Sequence, residues 1–242
     1  MKEFLIALQF LTVFPITIRP EIKGEDFGKS LRYFPIIGGL IGILLCLSLF
    51  LLGFLPGLVK GACILIISII ITGGIHLDGF ADACDGFYGS NPKEKILQIM
   101  RDSHIGVMGV IGVICLLFFK FSLIVSIPQG ILWKSLIMMA VFARWSQCLA
   151  CYVSCYARKD GKAKHFIEHA KRREVYLGGV FTLTLFLMLM QIKGVILFFI
   201  SILPIFLFIN YIKRRIGGMS GDTIGAVSEI GEVAILFGCL FY

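Results

Sequence analysis

The chain has 242 residues, 58% of them hydrophobic and only 16% charged, with 23 Lys+Arg against 15 Asp+Glu and a formal net charge of +8. Its mean hydropathy of +0.93 excludes a soluble domain of this length, which would carry far more charge. The composition predicts an all-α polytopic integral membrane bundle, one unit over 1–242, whose surroundings are the lipid bilayer and which has no nucleic-acid partner.

Residues 1–18 carry Lys2 and an apolar stretch to Phe14, with no small-residue cleavage site after it. Pro15 and the short length predict an interfacial or re-entrant helix here, not a signal peptide. Seven spans are then expected, at 34–55, 58–75, 105–127, 131–153, 176–191, 194–212 and 224–241. The connections at 19–33, 76–104, 156–175 and 213–222 hold 4, 3, 7 and 3 Lys/Arg, whereas the opposite-side connections hold only Lys60, Lys134 and Lys193. The positive-inside rule places the basic segments in the cytoplasm and the C-terminus outside. The segment 156–175 reads as a topology determinant on anionic headgroups, or as an electrostatic funnel for a phosphorylated substrate. Cys148, Cys151 and Cys155 share a helical face without a histidine, which fits small apolar packing better than a zinc site.

Four stretches place polar residues where a membrane makes them costly. Lys29 and Arg32 precede a Pro/Gly-rich helix start and are candidate substrate-binding cations, although topology anchoring explains them equally well. His76-Leu-Asp78-Gly-Phe-Ala-Asp82-Ala-Cys-Asp85-Gly86 follows, and at i, i+4 and i+7 its three aspartates share one helical face. Like charges at that spacing repel, and the motif contains no counter-cation. A hard divalent ion held by Asp78, Asp82 and Asp85, Mg²⁺ or Mn²⁺, would make them tolerable. The bland alternative is an Asp78 cap with solvated carboxylates behind it. Gly73, Gly74 and Gly79 keep the backbone lean, as a close-approaching ligand would require.

Arg101-Asp102-Ser103 opens the next span, where Ser103 is expected to cap the helix and Arg101 to clamp an anion unless it merely pairs with an acid. Gly106, Gly109 and Gly112 form a small face for close helix packing. The last stretch runs from Arg214-Arg215 through a glycine-rich turn to Asp222, Glu229 and Glu232. The two glutamates lie inside a predicted span and are functional by default, with a proton relay or helix-joining role as the alternative. Arg144, inside the fourth span, is their natural partner.

Acids, basic flanks and glycines on one membrane face describe a site that displaces one phosphoryl ligand by an alcohol. Asp82, His76, Asp222 and Glu229 are the catalytic candidates, with a free carboxylate or His76 taking the proton; Arg101, Ser103, Arg215, Lys29 and Arg32 are the binding candidates. Neither a Walker A sequence nor a GxGxxG after a strand is present.

HLDGFADACDG, IMRDSHIGVMG and RRIGGMSGDTIGAVSEIGE, with the early QFLTVFPI and YFPIIGG, resemble the cobalamin synthase (adenosylcobinamide-GDP ribazoletransferase) family over essentially the whole chain. The resemblance implies a Mg²⁺-dependent multi-pass enzyme of the cell (inner) membrane. Its substrates would be adenosylcobinamide-GDP and α-ribazole or its 5′-phosphate, with GMP released. The 5′-oxygen of α-ribazole is expected to attack the phosphate on cobinamide. A homo-oligomer, or association with other corrinoid-pathway enzymes, fits such a role. Two other readings are a CDP-alcohol phosphotransferase, whose pattern has an arginine where Asp82 stands, and a cation-coupled transporter using Asp78, Arg144, Glu229 and Glu232.

Overall fold

The structure, a computed structural model, describes residues 1–18, 21–89 and 92–242. Within these the chain is helical without a strand: α1 (Lys2–Leu11), α2 (Gly24–Ser30), α3 (Phe34–Leu51), α4 (Gly57–Thr72), α5 (Ile75–Phe87), α6 (Lys93–Ile99), α7 (Val107–Ser126), α8 (Gln129–Tyr152), α9 (Lys164–Glu168), α10 (Arg172–Ile216) and α11 (Gly221–Cys239). Helices stand at all seven predicted span positions. By length and apolarity, Gly24–Leu51, Val107–Ser126 and Arg172–Ile216 each suffice to cross a membrane, and α4 with α5 do so as a pair bent by 92°. The ten-residue α1 extends only about 15 Å, too short to cross a hydrocarbon core of about 30 Å.

Two of the predicted spans fall within α10, which folds back on itself at Gln191 (φ 53, ψ −138). The rings of Phe186 and Phe198 lie 5.8 Å apart, whereas twelve residues of straight helix would separate them by about 18 Å. Trp145 of α8 touches both arms, donating from its indole N–H to the Val175 carbonyl at 3.2 Å and meeting the Phe198 ring at 4.9 Å.

The core is centred on α8, buried almost continuously from Ser135 to Cys151 between α3, α10 and α11. Its approach to α3 is close because Gly38 and Gly42 lie directly on the backbone of Ala140 and Ile137. Cys148 and Cys151 are buried in this core as free thiols, the packing role expected of them.

The site depends on one bend. Gly73 and Gly74 both take left-handed backbone (φ 63 and 69), which turns α5 at right angles to α4. The bend turns α5 out of the line of α4 at the end of the predicted span 58–75, so that it lies across the neighbouring helices. There it packs on the N-terminal turns of α11 and α7. The crossing is tight: a Cβ at Gly79 would stand 2.6 Å from the Asp222 carbonyl oxygen. The lean backbone around the acids therefore accommodates a neighbouring helix, where the sequence reading expected a ligand.

Candidate active site

Asp222 occupies the first turn of α11, after an N-cap in which the Ser220 hydroxyl accepts from the Thr223 N–H at 3.3 Å. Its carboxylate accepts a hydrogen bond from the Arg158 guanidinium. Arg158 reaches it because the chain before it pairs with the turn before α11: Ala157 N–H donates to Met219 O at 2.8 Å, and Met219 N–H to Cys155 O at 2.9 Å. Across the crossing, α5 contributes Asp78, which is exposed, and Asp82, which is half-buried. Burial first, then the negative charges of Asp222 and Asp78, push the Asp82 carboxyl up to about 7, against the opposing pull of Arg158. Burial likewise raises Asp222, partly offset by Arg158. Asp222 and Asp82 thus share the charge of Arg158, and Asp78 adds a third negative charge beside them.

The third aspartate of the motif is engaged elsewhere. The two oxygens of Asp85 accept from the backbone N–H groups of Gly106 and Gly109, each at 2.7 Å, so Asp85 caps α7 from a neighbouring helix. The N-cap position is Gly106, which corrects the expectation that Ser103 caps this helix; Ser103 is exposed in the preceding turn. The small face of Gly106, Gly109 and Gly112 is real, and it lies on Asp85 and Cys84. Asp102 accepts from the His104 N–H at 3.0 Å, and Arg101, exposed, donates to the Asp160 carbonyl at 3.2 Å. Arg215 donates to the carbonyls of Phe87 (3.2 Å) and Gly89 (2.8 Å) and lies over the Phe87 ring, which closes the C-terminal end of α5. Lys29 pairs with Glu25 at 3.1 Å, and Arg32 lies over Tyr33; neither lines the cavity beside the acids.

That cavity, of about 270 Å³, is bounded by Asp78, Asp222, Arg158, Lys162, His76 and Gln147, with Phe10, Ile75 and Ile224 among its apolar walls. Of the candidates named from sequence, Asp78, Asp222 and His76 come together here; Asp82 stands near enough to feel the charges of Asp78 and Asp222 but does not line the cavity. Arg158 was legible only as one charge in a basic loop, because the pairing that selects it is tertiary.

Glu229 and Glu232 do not reach this cavity. Both accept from Lys120 of α7, and Glu232 also accepts from Arg144 of α8 at 2.5 Å, in a cluster where all four side chains are less than a tenth exposed. Two cations and two anions balance, so the group joins α7, α8 and α11 without net buried charge. The expected Arg144 partnership is present. Lys120 was missed, although a lysine inside an apolar span is itself the signal that should have drawn notice.

The donor set suits a hard divalent ion: carboxylate oxygens with more negative charge than Arg158 neutralises. Among the described residues, the three acidic or metal-binding side chains whose ligand atoms lie within 4.8 Å of one another are His165 and Glu168 of α9 and His169 just after it. The aspartates are more widely set, which fits an ion gripped by one or two carboxylates and completed by water and phosphate oxygens, the usual habit of Mg²⁺.

An apolar, all-helical chain with carboxylates, an arginine and a cavity gathered where two helices cross is a polytopic membrane protein with a polar site at one end. Comparison with known proteins makes this specific. The family described as Cobalamin-5-phosphate synthase matches residues 3–240. Relatives named adenosylcobinamide-GDP ribazoletransferase include one from Acetivibrio thermocellus, 34% identical with 100% of this chain and 98% of the relative covered. Others are from Clostridium acetobutylicum (35% identical; 97% and 94%) and Desulfitobacterium hafniense (34%; 98% and 96%). No solved structure matches the chain. The chain belongs to the cobalamin-5-phosphate synthase family, which makes it a membrane transferase of cobalamin biosynthesis. The phospholipid-enzyme and transporter readings find no support among these relatives.

Proposed function

We propose that the chain joins adenosylcobinamide-GDP to α-ribazole or α-ribazole 5′-phosphate and releases GMP. The observation that carries this reading is the site where Asp78, Asp222 and Arg158 line one cavity with Asp82 close beside them, in a chain whose relatives bear that activity in their names. A ribose hydroxyl attacks the phosphorus attached to cobinamide, the bond from that phosphorus to the oxygen of GMP breaks, and the hydroxyl proton passes to a carboxylate. An acceptor that keeps its 5′-phosphate in the product cannot attack through its 5′-oxygen. The attacking group is therefore a ring hydroxyl, which revises the 5′-oxygen expectation.

Asp82 is the proton acceptor best matched to this step, because a carboxyl held near 7 can take and return a proton at physiological pH. Arg158, fixed by Asp222 and with its buried Nε unpartnered, is placed to neutralise phosphate oxygens. Bound Mg²⁺ would supply positive charge to the pyrophosphate, and Asp78 and Asp222 are the residues that would hold it, with Asp82 either joining them as a ligand or staying free as the proton acceptor, not both at once. The chain acts as one unit in the cell membrane with this site facing the cytoplasm. A reporter fused after Tyr242 should then read as external, and a cytoplasmic signal would reverse the assignment.

The test is direct. Purified protein in liposomes, given both substrates, should release GMP and form the joined corrinoid only with a divalent ion present. No GMP under any metal condition defeats the reading. A linked effect follows from Asp82. Metal binds the ionised carboxylate, so affinity for Mg²⁺ should fall as pH drops through about 7, with proton release on binding at pH 6 to 7. Calorimetry in two buffers of different ionisation enthalpy measures that release, and a pH-independent affinity between 6 and 8 would exclude Asp82 as a ligand.

A further inference from the structure

The lining of the cavity beside the acids includes two buried side chains without partners. Gln147 of α8 is 1% exposed, and neither its amide nitrogen nor its oxygen is hydrogen-bonded; His76 of α5 is 4% exposed, and both ring nitrogens are likewise unpartnered. Both line the same cavity as Asp78 and Asp222. A buried polar group without a partner costs about 1–3 kcal/mol. Four such atoms in the lining of one cavity, carried by different helices, mark a place where polar groups of a bound molecule complete the hydrogen bonding.

We propose that Gln147 and His76 form the base-recognition end of this site. They receive the acceptor nucleoside's planar heterocycle between Phe10, Ile75 and Ile224, and its ribose is directed toward Asp78 and Asp222. The inference rests on the transferase reading above. Three observations favour the acceptor over the guanosine of the donor. A cavity of about 270 Å³ has the size of one nucleoside and leaves a corrin macrocycle outside. Its lining sets apolar Phe10, Ile75, Ala163 and Ile224 with the uncharged Gln147 and the unpartnered His76, apart from the Tyr156 hydroxyl and the charged Asp78, Asp222, Arg158 and Lys162. A benzimidazole offers one free ring nitrogen, which a single N–H donor satisfies, and the remaining amide and imidazole atoms can meet ribose hydroxyls. Guanine carries donors and acceptors along its whole edge and would leave several of its own unpaired against Phe10, Ile75 and Ile224. On this assignment His76 recognises the acceptor, and the proton transfer stays with the carboxylates.

Steady-state kinetics and equilibrium binding separate the outcomes. Gln147→Leu should raise the KM for α-ribazole at least tenfold while the KM for adenosylcobinamide-GDP stays within twofold. His76→Phe should act in the same direction. Gln147→Asn, which keeps the amide but shortens its reach, should lie between Leu and wild type. Calorimetric titration of α-ribazole into the full-length protein, without the donor, should show the same loss of affinity. A rise confined to the donor's KM would give the cavity to guanosine and overturn the proposal, as would α-ribazole affinity unchanged in both variants. Wild-type protein that binds α-ribazole through these residues but makes no product would defeat the transferase reading and leave the base pocket intact.

Discussion

Asp82→Asn is expected to lower turnover by about 10³-fold or more while leaving thermal stability unchanged or raised. The two halves of this expectation come from one environment. Asp82 is lifted to about 7, by burial first and then by the charges of Asp222 and Asp78. Removing a positioned proton acceptor costs typically about 10²- to 10⁴-fold, and the loss of a metal-holding charge adds to it. For stability the sign runs the other way. A carboxyl whose folded pKa exceeds its unfolded value binds more protons when folded, so its contribution falls as pH rises from the unfolded value toward 7. At pH 8 ionised Asp82 is a strain on the fold, and Asn keeps its shape without its charge. Turnover and thermal melting of the detergent-purified variant at pH 6 and pH 8 test both halves. Near-wild-type turnover would make the cluster structural; a melting point lowered at both pH values would show that Asp82 supports the fold.

Lys120→Met is the substitution with the largest expected cost in stability. It leaves Glu229 and Glu232 buried with Arg144 as their only cation, and breaking such a cluster costs about 3–5 kcal/mol. The double variant Lys120→Met with Glu229→Met restores the charge balance, with Arg144 still paired to Glu232. It should therefore recover at least half of that loss, a coupling that additive effects cannot produce. Unfolding of the detergent-solubilised single and double variants measures it. A single variant within about 0.5 kcal/mol of wild type would mean that water reaches the cluster and screens it.

The helical architecture was legible because the hydrocarbon core imposes a length on apolar runs, and each predicted run is a helix. The hairpin within α10 was foreshadowed by the polar break at Gln191 and Lys193, where the fold-back stands. The aspartate motif was legible as helical spacing, and Asp78 and Asp82 do stand together near Asp222. What spacing could not show is that Asp85 serves α7: its partners, Gly106 and Gly109, are more than twenty residues away. The same holds for Arg215, which reads as a phosphate ligand in a basic dipeptide but closes the end of α5.

Gly79 shows how a correct signal can carry the wrong cause. A glycine beside acids means that something approaches closely, and sequence cannot tell a ligand from the backbone of Asp222. Composition, periodicity and charge asymmetry thus determined by themselves that this chain is a membrane bundle with an acidic site at one face, since hydrophobic length and sidedness act locally along the chain. Only the tertiary structure decided the members of that site. Pairing Asp222 with Arg158, withdrawing Glu229 and Glu232 into the buried cluster, and leaving His76 and Gln147 unpartnered at the cavity wall all depend on which helices cross, and electrostatics acts through those distances.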